Sequence, residues 1–541
     1  MADTLLDDSD DFSRDERLET KAGQLSLHGT PSMDEIWGWH KKLATIGTRY
    51  TGSDGQASFI DWLKNKFSAV PGFQLHTDTI FFDRWLAEPK NCSLSIHDPA
   101  AGLNESVDIS YYYPYSGNTG PAGISGRLID LGPFEPAWYT PAFWARATGA
   151  IALVRVPPCT FTLDFGQVPT GGFVPGQASP DALDAVGDYL ADSWSVTNPA
   201  FQMFDVVPLL DARQAGVLGV ICVWTGMSDE QVANQYNPMI TGYPNTQGVP
   251  VQNDPGCPAL WVGDDTGDWL ATRAAIGQPS VKLTLNASIT QNAATETIWG
   301  MLPGTGADHE RGLIVNTHTD GPNVPEENGA LGLLALAKYF SQRQHRRDLY
   351  FVMVTGHFQL AQKAFNQDIP NARFVGGKDA TSRWMNDHPA IYQKAVAGLT
   401  MEHLGCTRWA DNANGQYAPT GEYEWGTTYA TQRQGSPNPI NLEWQAYLDA
   451  VWRTNHSSAI ARPVVTMLPM PVFFGEGAPL YAGGLGTVSL CPLPSYLLQA
   501  GSRTDPQNLN LDKLDKALIY GQILSFARTI RTLDAQPTSA F

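Results

Sequence analysis

Charge is scarce in this chain. Only 16% of its 541 residues are Asp, Glu, Lys or Arg, against about 25% in an average globular protein. The deficit is mostly cationic, because 35 Lys and Arg stand against 54 Asp and Glu for a formal net charge of −19. A chain so poor in cations repels phosphate backbones and anionic lipid headgroups, so neither nucleic acid nor a membrane surface is expected as a partner. Long apolar runs are also missing. The longest, such as 312–316, 349–355 and 486–493, fall well short of the ~18 residues that a membrane helix needs. The opening MADTLLDDSDDFSRDERLE is acidic, without a basic start or an apolar stretch, so no secretory signal is read. Cysteine is sparse: Cys92, Cys159, Cys222, Cys257, Cys406 and Cys491 lie far apart and form no CxxC or other metal spacing. That usage suits buried free thiols in a reducing compartment. A cytoplasmic protein is the expectation, and the N-x-S sequons starting at Asn91, Asn104, Asn286 and Asn455 would matter only in a secreted one.

Apolar residues are plentiful at 43%, and the length suggests two to four domains at roughly 150 residues each. Residues 1–30 are charged and aperiodic and read as an acidic tail. SMDEIWGWHKKLATIGTRYTG then starts on a capping Ser, continues with a helical apolar period and ends in a Gly turn. A second helix is predicted over 55–68, with strands over 73–82 and 91–97. Residues 126–290 change character. GRLIDLG, AIALVRV, GVLGVICVW and CPALWVG are short β-branched runs parted by Gly/Pro-rich loops, with helical text only in DALDAVGDYLADSW and VVPLLDARQAG. This predicts a β-rich module inserted between 31–125 and 291–541. After TIWGMLPG, buried strands over 312–317, 349–355, 395–401 and 485–490 alternate with helices near 328–342 and 358–366, and a closing helix covers 511–533. Such alternation implies an α/β fold, a mainly parallel, doubly wound sheet with helices on both faces.

Ligands of such sheets sit beyond the carboxyl ends of the strands. His318 and Asp320 follow the first run; Glu326 and Glu327 open the next helix. His357 follows the second run, and Glu402 and His403 the third. A mixed imidazole and carboxylate set at three strand ends suits zinc or another borderline divalent ion. In the H-x-D pair, the Asp can accept the ring N–H of the His and fix its tautomer. Each group also has a plainer reading. Glu326 at a helix start can simply offset the macrodipole, and His357 alone can be a hydrogen-bonded loop histidine. Trp384, Trp409, Trp425 and Trp444 can line an apolar pocket or simply pack.

The chain resembles the zinc aminopeptidase family, whose members include bacterial leucyl aminopeptidases, glutamate carboxypeptidase, glutaminyl cyclases and the non-catalytic transferrin receptor and nicastrin. The resemblance rests on GLIVNTHTDGPNVPEENGALGLLALAKYF, LYFVMVTGHFQLAQKAF, GLTMEHLG and GEGAPLYAGGLGTVSL, and it covers most of 32–533. It implies that the insertion, with VRVPPCTF, LLDARQAGVLGVICVW and CPALWVGDDTGDWL, is similar to the protease-associated domain. It also implies a first metal site read here as His318, Glu327 and Glu402, with Asp320 orienting His318. The family's second-ion positions read Phe358 and Leu497, which bind no metal, and the position of its general base reads His357. The expectation is a remodelled, single-metal enzyme that hydrolyses an amide or ester, or does related acyl or proton-transfer chemistry, on a small molecule or peptide. His357 would be the general base, with His403 the other proton-transfer group. The alternatives are a metal-free binding protein on the same fold and an ordinary peptidase. The oligomeric state is not legible.

Overall fold

In the computed structural model, the residues described are 28–133, 140–156, 160–163, 194–197, 207–237, 256–277, 279–359, 380–424, 428–430, 463–464 and 475–541. The acidic tail up to His28, the loop-rich 157–200 stretch apart from two short strands, the end of the expected 358–366 helix, Trp425 and Trp444 lie outside them.

Four strands form the parallel heart of the sheet, in the order Gly486–Leu490, Ala397–Met401, Leu313–His318 and Leu349–Val354. Leu313–His318 is buried along its whole length because both faces are covered, which is why its sequence reads as a nearly continuous apolar run. On one face pack the helices Met33–Ile46, Asp54–Ser68, Gly329–Phe340 and Lys516–Ala535. On the other lie Ala380–Asp387, Pro389–Lys394 and Gly477–Ala482. Gly329–Phe340 lies so close to the sheet that a Cβ on Gly329 would meet the Met401 carbonyl at 2.0 Å. Only glycine permits that approach.

A long antiparallel ribbon, Gln74–Asp98 against Ser280–Leu302, continues this sheet into a further run of strands. Ser280–Leu302 pairs with Leu349–Val354 near its end and with Ile124–Pro133 near its start. The two expected strands over 73–82 and 91–97 are thus one. Pro89 falls within the Ala87/Cys92 register shift, where a missing N–H breaks no ladder bond.

Ile124–Pro133, Ile151–Val156, Gly219–Trp224 and Ala259–Val262 run parallel in that order. Helices Leu209–Gln214 and Asp264–Ile276 connect and cover them. The described part of 126–290 is therefore itself α/β. Ile151–Val156, Gly219–Trp224 and Ala259–Val262 are short and apolar because they too are buried on both faces. The closing helix begins later than its apolar period suggests. After a 3-10 turn at Leu511–Lys513, the Asp515 carboxylate accepts the Leu518 N–H at 2.7 Å and starts the helix there.

Candidate metal centre

Beyond the carboxyl ends of the parallel strands, three imidazoles converge. His318 ends its own strand. His357 follows the next, after Gly356, whose φ is +95°. His403 lies two residues past Met401 in a left-handed conformation, φ +54°. Each ring is held by Nδ1. His318 donates to the backbone carbonyl of Asp320 at 2.9 Å, His403 to that of Pro492 at 2.6 Å, and His357 to Glu476 Oε1 at 2.6 Å. With the proton fixed on Nδ1, the Nε2 lone pair of His318 is left for another partner, and that of His403 is left once its second proton is lost.

Glu326 stands among them. Its Oε1 is 4.0 Å from His318 Nε2 and 3.8 Å from His357 Nε2, and its Oε2 is 3.3 Å from His403 Nε2. Glu402 enters beside His318 and His403, its Oε1 accepting the backbone N–H of Glu476 at 2.8 Å. The donor atoms form two groups, His318–Glu326–His357 and His318–Glu402–His403, each within 4.8 Å. Donors around a tetrahedral zinc with ~2.0–2.2 Å bonds lie about 3.3–3.5 Å apart, so the donors of either group would have to draw together to bind one ion.

Two observations test whether a cation fits. First, His318 Nε2, Glu326 Oε2, Glu402 Oε2 and His403 Nε2 are all buried without a hydrogen bond, a costly state for polar atoms unless something else satisfies them. Second, the charges do not balance. Asp320, Glu326, Glu327, Glu402 and Glu476 are all at most 1% exposed, and Arg49 pairs with only one of them. Burial and the charges of His357 and His403 keep His318 neutral. Burial opposes the charge on His357 and His403 as well, but the surrounding carboxylates outweigh it and raise both. Even with both of these imidazoles charged, four carboxylates have no guanidinium partner among the described residues, and burial raises Asp320 and Glu402, so the cluster calls for protons or a divalent cation. The imidazole and carboxylate donor set suits zinc or a similar ion.

The structure brings together His318, Glu402, His403 and His357 from the expected set and adds Glu326. It turns Glu327 away to Arg49 Nη2, at 2.8 Å, with both side chains fully buried. Burial pushes the Glu327 carboxyl up from its usual range, and Arg49 holds part of that rise back. Asp320 orients His318 through its carbonyl, whereas its carboxylate accepts from the Thr51 hydroxyl and the Phe358 N–H. His357 is raised to about 10, burial being outweighed by Glu476, Glu326 and Glu402. In that charge environment it carries a proton through neutrality. A base role requires a cation to take up part of the carboxylate charge. Phe358 and Leu497 sit in a buried wall with Tyr50, Tyr115 and Tyr236, and the Tyr115 hydroxyl donates to the Phe358 carbonyl at 2.7 Å.

Sequence reasoning gave Glu476 and Arg49 no part and left Glu326 to the helix dipole. Glu476 lies in GEGAPLYAGGLGTVSL, one of the segments that carry the family resemblance, as the lone acid of an otherwise small and apolar stretch. Nothing local distinguishes Glu326 from its neighbour.

This is the fold of the zinc aminopeptidases. The chain is similar to an aminopeptidase from Aneurinibacillus sp. strain AM-1, at 12% identity over 94% of each chain with a TM-score of 0.54. It is similar to BSAP, a zinc aminopeptidase from Bacillus subtilis, at 13% identity over 95% of this chain and 99% of that one, TM-score 0.54. A Peptidase M28 precursor from Shewanella amazonensis matches at 12% identity over 93% of this chain and 98% of its own, TM-score 0.56. No family model matches the chain, and no curated protein matches its sequence.

Proposed function

We propose that this chain is a single-metal hydrolase of amide or ester bonds, acting on a peptide or small molecule. The observation that carries the reading is the convergence of buried, Nδ1-anchored imidazoles on unpartnered carboxylate oxygens at the strand ends. His318, Glu402 and His403 would hold the ion, with Glu326 beside them. Such an ion, zinc being the first choice from the neighbours' descriptions, supplies Lewis acidity to a carbonyl oxygen. Phe358 and Leu497, buried among tyrosines, offer no donors for a second ion. Asp320 fixes the His318 tautomer from its backbone, and Arg49 takes the Glu327 charge out of the set.

His357 is the proton-transfer group. Its side chain is 11% exposed while His318, Glu326, Glu402 and His403 are all at most 3% exposed, so it is the group that meets both solvent and the cluster. Its Nε2 is the atom at which a proton would be taken or given.

The test is His357→Ala, measured on a panel of aminoacyl amides, peptides and esters, with metal content read in parallel. The expected result is a kcat lower by roughly 10²–10⁴ with metal content unchanged. Turnover and metal that both survive the change would remove His357 from the chemistry. A second reading, a metal-free binding protein, draws on Glu326, which lies within 4.0 Å of three imidazoles and can serve as their internal counter-ion. Stoichiometric metal in the wild-type protein decides against it.

A further inference from the structure

Glu476 immediately precedes the short helix Gly477–Ala482 and is 1% exposed. Four hydrogen bonds pass through it. Its Oε1 accepts His357 Nδ1–H at 2.6 Å, and its Oε2 accepts the Thr381 backbone N–H at 2.9 Å. Its own N–H donates to Glu402 Oε1 at 2.8 Å, and its carbonyl accepts from Asn316 Nδ2 at 3.0 Å. Side chain and main chain therefore serve different partners. The carboxylate holds the imidazole, and the backbone holds a metal-ligating carboxylate.

The hold on His357 is specific. A charge-assisted bond to Nδ1 fixes both the tautomer and the angle of the ring. At that angle the ring lies flat on His318, centroids 4.0 Å apart and planes 9° from parallel, with Nε2 facing Glu326. Thr381 occupies the other carboxylate oxygen, so the group cannot swing without breaking that bond as well. An amide in its place has one acceptor for two donors and must desert one of them.

We propose that Glu476 is the positioning residue of this site, its carboxylate aiming His357 Nε2 into the cluster while its backbone independently sets Glu402. The catalytic consequence rests on the proposed role of His357; the positioning itself does not. The experiment follows the His357 Nδ1–H proton by nuclear magnetic resonance in histidine-selectively ¹⁵N-labelled protein. Wild type, Glu476→Ala and Glu476→Gln are compared, with His357→Gln to identify the signal and metal content measured throughout. Wild type should show a downfield Nδ1–H in slow exchange with water. Glu476→Ala should lose it, and Glu476→Gln should weaken and shift it. Metal content should stay at the wild-type value in both, because residue 476 keeps its N–H. On any substrate turned over, kcat should fall about 10–100-fold with KM near wild type. An unchanged Nδ1–H signal in Glu476→Ala, or in Glu476→Gln if the alanine variant does not fold, overturns the proposal. A wild-type protein with neither metal nor turnover overturns the functional reading instead, and the proton signal still decides for or against Glu476.

Discussion

At the scale of single residues, the site turns on two adjacent glutamates with opposite fates. Glu326 and Glu327 share a helical first turn and near-complete burial. What separates them is Arg49, 278 residues away in sequence, whose guanidinium binds Glu327 and also reaches the carbonyls of Asn323 and Leu43. Breaking one side of a buried pair strands the other charge, which costs about 3–5 kcal/mol. Arg49→Met should therefore destabilise by that order. Arg49→Met combined with Glu327→Met should recover much of the loss, since no charge is then left unpaired. Urea unfolding midpoints check this, and a double variant as unstable as the single one would contradict it. The same pair marks the limit of sequence reading. His318, His357, Glu402 and His403 were legible because each follows a recognisable strand. The choice between Glu326 and Glu327 was not, because it is made by a cation from a Gly turn that nothing local connects to them.

At the scale of elements, the helix Met33–Ile46 shows how its buried face responds to pH. Ser32 caps it by accepting the Glu35 N–H at 3.1 Å, and Ile36, Trp39, His40 and Leu43 are buried. His40 donates from Nδ1 to the Ile36 carbonyl at 2.9 Å, and its Nε2 is buried without a partner. Burial lowers its pKa from 6.5 to about 4. The folded state thus resists a proton that the unfolded chain accepts. The stabilisation is complete above about pH 6.5 and is lost as pH falls toward 4. Going from pH 7 to pH 5 should cost about 2 kcal/mol through this group alone. His40→Leu should lose correspondingly less stability over that interval, and equal pH dependence of the two unfolding midpoints would contradict the assignment. Element identity was otherwise the most legible layer. The Ser32 cap and the four parallel strands stand where the apolar periods put them. The departures have physical causes. A proline at a register shift hid the continuity of the Gln74–Asp98 ribbon. The Asp515 carboxylate, which accepts the Leu518 N–H, starts the closing helix later than its apolar period suggests.

At the scale of the whole molecule, an excess of acid recurs. The chain carries a formal charge of −19, and the buried polar cluster at its strand ends is acidic as well. Surface carboxylates find water, whereas Asp320, Glu326, Glu402 and Glu476 at the strand ends have no guanidinium or ammonium partner among the described residues. No helix among the described residues is long and apolar enough to cross a membrane. The cluster at the strand ends is a place where a divalent ion would settle the charge, and Phe358 and Leu497 belong to the buried wall of tyrosines. The most direct measurement is therefore metal stoichiometry by mass spectrometry, after reconstitution with zinc and exhaustive dialysis, in wild type and in His318→Ala. The account predicts about one divalent ion per chain in wild type and a loss of it in the variant. No ion in wild type, two ions, or one that His318→Ala retains would contradict it.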